Sequence, residues 1–336
     1  MVTVKLGLNT TDIDTAVDDA RAAELAGFDY LGCGEHLFFH GPVPNAFVTL
    51  AAAAGATSTI RLVSAITLLP IYPAALAAKL AATLDRVSGG RFELGVGAGG
   101  EYLAEFEAVG VDPRTRFRRM DEALEVMKRL FGGGRVSFEG EFTSLHDVAL
   151  EPAPVHVGGP PIWLGGRKEG AIRRAGRYAE VWMPYLVGPE RLSAGLRRVR
   201  EAAADAGRDP AAVSGAVFLW TCADEDGDWA RKTGTAVVSA TYAQDFAPLA
   251  DRYLALGTPG QVAARIAEFA AAGASTVLIQ PAAEPGDRQR VVRTISEDVL
   301  PRVRELVTPP RYAPIEADVP TPINARTADP FAPGPI

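Results

Sequence analysis

Cysteine and histidine are scarce in this chain of 336 residues: Cys33 and Cys222 are the only thiols, and there are four histidines. Two thiols so far apart argue against a disulfide framework and against a cysteine-built zinc site. The histidines show no H-x-H or H-E-x-x-H spacing, and that argues against any metal centre. There is no surplus of positive charge. Lys and Arg number 34 against 41 Asp and Glu, a net charge of −7, whereas nucleic-acid binding needs a basic face. The acyl-transfer elbow G-x-S-x-G is missing. No stretch reaches the ~18 apolar residues of a membrane span, and "MVTVKLGLN" lacks the basic and apolar regions of a secretory signal. The expectation is a cytoplasmic protein with reduced thiols, whose partner is neither nucleic acid nor membrane.

What the chain does have is alternation. Apolar strand-like runs occupy 4–9, 28–36, 60–69, 91–99, 161–166, 180–186, 215–222 and 275–281. Helical periodicity follows each of them. The first helix is expected behind Asp12 or Asp14 as N-cap and ends at Gly27; the second covers 45–58. The third opens at Pro73 with an apolar stripe of Leu76, Leu80, Leu84 and Val87. The fourth, 116–131, carries Phe117, Met120, Leu124, Met127 and Leu130. Val262, Ile266 and Phe269 form another stripe, and Pro301 is expected to kink or restart the last helix. Eight strand–helix units in one run predict an α/β fold, the (β/α)₈ TIM barrel. Two insertions interrupt it, at about 132–161, where a hairpin is expected around Gly140, and at 224–256. Residues 1–307 form the barrel domain on this reading. From Thr308 the chain holds eight prolines in 29 residues, so 308–336 reads as an extended or disordered tail.

Within "RFELGVGAGG", Gly95, Gly97 and Gly100 spell the G-x-G-x-x-G of a dinucleotide site. That fingerprint belongs in the first βα turn of a doubly wound sheet, with an acid ending the next strand. Here it follows the fourth strand, and the acids about 20 residues on, Asp121 and Glu122, fall inside a helix. The match is therefore accidental. Barrel active sites lie at the C-terminal strand ends, where Gly97, Ala98 and Gly99 remove side chains from the mouth. Either they make a tight turn, or they let a ring or phosphate approach bare backbone. Gly165 and Gly166 repeat the pattern on strand five, followed by Arg167, Lys168 and a helix start suited to an anion.

Other strand ends add candidates. His36 ends strand two, with Glu35 pointing the opposite way, and suits proton transfer or a structural role. His40 reads as a lining or surface residue, while His146 and His156 carry no ligand spacing. Ser64, Ala65, Ile66 and Thr67 on strand three either line the barrel or meet a ring. Asn9 ends strand one with a donor and an acceptor. Trp182, Tyr185 and Trp220 either wall an apolar pocket or pack as core.

Three segments, "AATLDRVSGGRFELGVGAG", "VSFEGEFTSLHDVALEPAPVHVGGPPIWLGGR" and "GTPGQVAARIAEF", resemble the bacterial luciferase-like oxidoreductases over about residues 2–306. The resemblance implies a (β/α)₈ barrel with insertions that binds coenzyme F420 or FMN at the strand C-termini. It implies that His36 lies beside the flavin ring. Ser64, Ala65 and Ile66 would buttress that ring, often through a non-proline cis peptide. Gly97, Ala98 and Gly99 would run along the cofactor, and Gly165, Gly166 and Arg167 would contact its phosphate. Asn9 joins the cofactor set by its place at a strand end. The "GVGAG" loop resembles the deazaflavin branch, whereas Glu35-His36 resembles many FMN members; Glu101 lies one residue from an acid that some deazaflavin enzymes carry.

The expected function is F420-dependent hydride transfer to or from a small organic substrate, with His36 catalytic. An FMN-dependent monooxygenase using oxygen is the alternative, and a non-catalytic cofactor-binding barrel a third. A homodimer is expected, with a flavin or F420 reductase as a possible cofactor supplier.

Overall fold

Described here are residues 4–307 of a computed structural model. Eight barrel strands follow one another: β1 (Lys5–Thr10), β2 (Tyr30–Cys33), β3 (Arg61–Ser64), β4 (Phe92–Gly97), β5 (Ile162–Gly165), β6 (Val181–Met183), β7 (Ser214–Ala223) and β8 (Ala274–Pro281). Each pairs in parallel with the next, and β8 pairs with β1 in the register Lys5↔Thr276, so the sheet closes on itself. Strands covered on both faces need apolar residues throughout, and those of β1, β2 and β4 are almost wholly buried. Closure is thinnest between β6 and β7, where Val181↔Ser214 and Trp182↔Gly215 are joined by a bridge from Tyr185 to Phe218. The predicted barrel is thus observed, with both insertions. Val136–Glu139 and Ser144–Val148 form a hairpin. The Gly227–Tyr242 helix and a short strand, Ala255–Gly257, fill the second insertion, and that strand extends the sheet beside the end of β7.

Two apolar cores result. The larger lies between sheet and helices. The smaller fills the barrel lumen with Tyr30, Val63, Trp163, Val181, Met183, Ala216 and Leu278, capped by Ala65, Ile66 and Phe218. Glu93, 4% exposed, accepts hydrogen bonds there from Tyr30, Trp163 and Arg61, so its buried charge is paired.

Several local expectations need correction. The first helix spans Ala16–Leu25 behind Thr15, not Asp12 or Asp14. In the Ala74–Val87 helix only Leu84 of the predicted stripe is buried; Leu76 and Val87 are exposed and Leu80 half-buried. Alanines 74, 77, 78, 81 and 82 make the packing face instead, because a small side chain lets the helix sit close to the sheet. Phe117 likewise leaves its stripe for solvent, while Met120, Leu124, Met127 and Leu130 are buried. The Val262, Ile266 and Phe269 stripe is fully buried, and its helix opens with a Thr258–Gln261 capping box. Pro301 stands near the start of a final helical segment, Leu300–Val307, after a π-helical turn over Ile295–Val299. The proline-rich stretch 308–336 lies outside the described residues. No described helix is long and apolar enough to cross a membrane.

Candidate active site at the barrel mouth

The loop after β2 is held by carboxylates on both sides. Glu35, buried, accepts from the backbone N–H of Leu68 (2.9 Å) and Ala46 (3.2 Å), from Asn45 Nδ2 and from the Tyr72 hydroxyl. Burial raises its carboxyl above the ordinary range, opposed by those hydrogen bonds. β2 ends at Cys33, so Glu35 lies beyond the strand, and its partners come from the Ala46–Ala56 helix and its N-cap, from Leu68 and from Tyr72. His36 is half-buried, and its Nδ1 lies 3.0 Å from Oε1 of Glu105, whose side chain is completely buried. Oε2 of the same carboxylate accepts from the N–H of Leu37 at 2.6 Å. The ring of Phe39 stacks on His36 at 4.2 Å.

Strand β3 breaks at Ser64, passes through a cis peptide between Ala65 and Ile66, and resumes over Thr67–Leu68 beside β4. The pairing of β3 with β4 ends at Val63↔Glu93. Across the gap, Ser64 Oγ donates to the carbonyl of Gly95 (2.8 Å) and accepts from its N–H (2.9 Å). Ser64 is fully buried, so it supports the floor of the mouth and does not face it. Ala65 and Ile66 are half-exposed above it.

This floor gives the glycines a packing role. A Cβ on Gly97 would sit 1.9 Å from Ile66 Cδ1, and one on Gly165 2.9 Å from the same atom. A Cβ on Gly95 would strike the Ser64 carbonyl oxygen at 1.9 Å. The bare strand ends therefore make room first for the β3 bulge and the Ile66 side chain. Ala98, Gly99 and Gly100 follow, half-exposed, with Gly99 and Gly100 at positive φ.

The rim is built from five further strand ends. Asn9, 1% exposed, donates from Nδ2 to Gln280 Oε1 at 2.5 Å, while its Oδ1 has no partner among the described residues. Gly166 has φ +107. Arg167 is exposed and bonds the carbonyls of Tyr185 and Leu186 through Nη1 while stacking on the Tyr185 ring, which leaves its Nε and Nη2 without a partner among the described residues. Lys168, next in the chain, is exposed. Tyr185 donates its hydroxyl to Glu101 at 2.5 Å; burial and the Glu101 charge raise its pKa. Tyr242, a neighbour not singled out from the sequence, is pushed up to about 12 by burial and accepts from Trp220 Nε1. Trp182 does not wall the mouth. It is buried against Gly195 of the Pro189–Asp205 helix and donates to the Gly166 carbonyl at 2.9 Å.

Of the remaining residues, His40 is exposed and meets the Tyr102 ring edge-on. His156 is structural: it lies 2.8 Å from the fully buried Asp85, which also accepts two backbone N–H groups of the same loop. Cys33 and Cys222 are buried free thiols, each pushed up to about 12 by burial. No group of three or more metal-binding side chains occurs among the described residues.

Residues 2–276 match the model of the luciferase-like monooxygenase family. The chain belongs to that family. An F420-dependent glucose-6-phosphate dehydrogenase of Kineococcus radiotolerans is 30% identical over 315 residues, covering 85% of this chain and 92% of that protein. One from Intrasporangium calvum is 30% identical over 321 residues, 86% and 95% of the two chains. Among solved structures, the monooxygenase RslO1 from Streptomyces bottropensis has a TM-score of 0.78 at 25% identity, covering 89% of this chain and 99% of that one. An F420-dependent secondary alcohol dehydrogenase has a TM-score of 0.79 at 23% identity, covering 90% and 99%, which speaks for the fold. The two dehydrogenase relatives are named as F420-dependent and RslO1 as a monooxygenase, and this supports an enzyme of oxidoreductase type.

The mouth suits such a group in three observable ways. It offers a half-exposed apolar floor at Ala65–Ile66, a buried acceptor without a partner at Asn9 Oδ1, and two cations beside a helix start at Arg167 and Lys168. Glu105 was not legible as part of this site. It lies in a short segment with Glu101 and Glu107, of which only Glu101 drew attention in the sequence. The one available signal was its place next to Phe106, which is fully buried.

Proposed function

We propose that this family member transfers a hydride between coenzyme F420 and a small organic substrate, with His36 moving the accompanying proton. The observation that carries the reading is the state of His36. Its ring is stacked on Phe39, its Nδ1 is engaged by Glu105, and its Nε2 has no hydrogen-bond partner among the described residues. Such an imidazole can give a proton to a ligand or take one from it at Nε2. A hydride and a proton together interconvert an alcohol and a carbonyl. Two relatives named as F420-dependent dehydrogenases, 30% identical over more than four-fifths of this chain, support the deazaflavin.

The cofactor would supply two-electron chemistry at its ring. The protein's residues bind and orient. The Ala65–Ile66 floor and the backbone at Ala98–Gly99 and Gly165–Gly166 would carry the ring and its arm. Asn9 Oδ1 would accept from a donor edge, and Arg167 would meet the phosphate through its free donors. Ser64 acts one layer below, by fixing the floor. A homodimer fits the outer face of the Ala46–Ala56 helix, which bears no charge and leaves Val48 68% exposed.

A parallel titration of the apo protein with F420 and FMN, followed by fluorescence, tests the reading. Binding of F420 at micromolar concentration or below, with no saturable binding of FMN, is expected. The reverse preference would replace it by the second reading, an FMN-dependent monooxygenase supplied by a separate reductase, whose monooxygenase part the likeness to RslO1 supports. Binding of neither would remove both.

A further inference from the structure

Glu105 does more than fill a buried position. It lies on the one-turn segment Ala104–Ala108, just beyond the glycine loop of β4, and reaches across to the loop after β2. Its Oε2 faces two backbone donors, the N–H of Leu37 at 2.6 Å and that of Phe38 at 3.4 Å. Its Oε1 faces His36 Nδ1 at 3.0 Å. An ionised carboxylate only accepts hydrogen bonds. The hydrogen between these two groups therefore resides on Nδ1. A neutral imidazole carries one hydrogen, so Nε2 is left with its lone pair. Phe39, stacked at an interplanar angle of 18°, fixes the plane of the ring. Glu35, held from the other side by Leu68 and Ala46, anchors the preceding residue. The ring can thus neither turn over nor slide without breaking contacts on both flanks.

We propose that Glu105 is a positioning residue that selects the Nδ1–H tautomer of His36 and so presents Nε2 as a proton acceptor at the barrel mouth. The catalytic meaning rests on the function proposed above; the tautomer does not. In the oxidative direction, the substrate O–H bond breaks and its proton goes to Nε2. Oxidised F420, when bound, would supply the acceptor for the hydride of the adjacent C–H bond, so that the bond's electron pair leaves with the hydride and a carbonyl remains. In the reductive direction the protonated ring returns that proton from Nε2 to the forming alcohol. When the ring is neutral, this tautomer serves the oxidative direction.

The variant Glu105→Gln turns the argument into a sharp test. The two backbone N–H groups of Leu37 and Phe38 need an acceptor, so they claim the amide oxygen. The amide NH₂ then faces Nδ1, which must become the acceptor, and the hydrogen moves to Nε2. The full-length protein, labelled with ¹⁵N-histidine and free of cofactor, is observed by NMR on the high-pH plateau where the ring is neutral. His36→Asn identifies the resonances. The expected result is Nδ1–H in the wild type and Nε2–H in Glu105→Gln, with F420 affinity unchanged within about twofold. A wild-type ring carrying its hydrogen on Nε2 overturns the proposal, and so does an unaltered tautomer in a folded Glu105→Gln. If circular dichroism shows that variant unfolded, the wild-type spectrum decides alone. Loss of F420 binding in the wild type would defeat the proposed function while leaving the tautomer result intact.

Discussion

Replacing Gly97 by alanine tests the floor of the mouth directly. The new Cβ would lie 1.9 Å from Ile66 Cδ1 and 3.1 Å from Cγ1, and no backbone atom is among its close neighbours. Ile66 must leave its present place, yet the same Cδ1 also occupies the space above Gly165, so the displaced side chain has to move into the mouth. Overpacking of this kind costs about 1–3 kcal/mol. For a domain of this size that lowers Tm by roughly 2–5 °C. The strain belongs to one pair of residues, so it should vanish when Ile66 is shortened. The cycle of Gly97→Ala, Ile66→Ala and the double variant, measured by urea unfolding, is expected to show a favourable coupling of about 1 kcal/mol or more. F420 binding should weaken in Gly97→Ala and partly return in the double variant. Additive energies, with Gly97→Ala equally costly in both backgrounds, would refute the view that these glycines serve Ile66. Gly95→Ala is the contrasting control: its obstacle is the Ser64 carbonyl at 1.9 Å, a backbone atom that no side-chain truncation removes.

Three other predictions follow from the same structure. His36→Ala should lower turnover by about 10²-fold or more, the range of general acid–base catalysis, while F420 titration stays close to wild type; equal losses in both would assign His36 to binding alone. Ser64→Ala leaves the buried N–H and C=O of Gly95 without partners and should cost about 1–3 kcal/mol in urea unfolding, whereas a loss below about 0.5 kcal/mol would mean that another group replaces the hydroxyl. Glu24 is held at about 2: burial raises it, but is outweighed by the N–H donors of Ile60, Thr59 and Ser58. A depressed carboxyl stabilises the fold above its ordinary value of 4.5 and loses that stabilisation as pH falls towards about 2, so Glu24→Gln should be less stable than wild type at pH 6 and approach it near pH 2. A pH-independent gap would show that the charge is not responsible.

The barrel was legible because each strand is a short apolar run closed by a glycine, proline or acid, and each helix repeats at three and four residues. That signal located all eight strands. It said less about which face of a helix packs. On the Ala74–Val87 helix the leucines carry the hydrophobicity, but the alanines carry the contact, since periodicity weighs apolarity and closeness of approach rewards small size. The N-cap of the first helix was missed for a related reason. Asp12 and Asp14 have strong capping chemistry, yet Asp12 accepts from the Asp14 N–H in a turn of its own, and the helix begins later, after Thr15.

The site was legible where it depends on strand ends and hidden where it depends on partners from other loops. His36, Ala65, Ile66 and the glycine pairs come from the C-terminal ends of β2 to β5, and the order of the strands alone brings them to one mouth. What each side chain meets there is a matter of three dimensions. Gly97 and Gly165 lie on adjacent strands, and Ile66 comes from a third. Nothing in "GVGAG" or "WLGG" names the isoleucine that both accommodate. Glu105 is harder still, because an acid in a polar segment looks solvated until the backbone folds it under another loop. A buried carboxylate facing two N–H groups and an imidazole is costly to place unless all three donors are satisfied together. Its presence therefore implies that the β2 and β4 loops are ordered as one unit. That coupling lets the glycine-rich loop, which runs on through Ala98 and Gly99, hold a fixed relation to His36.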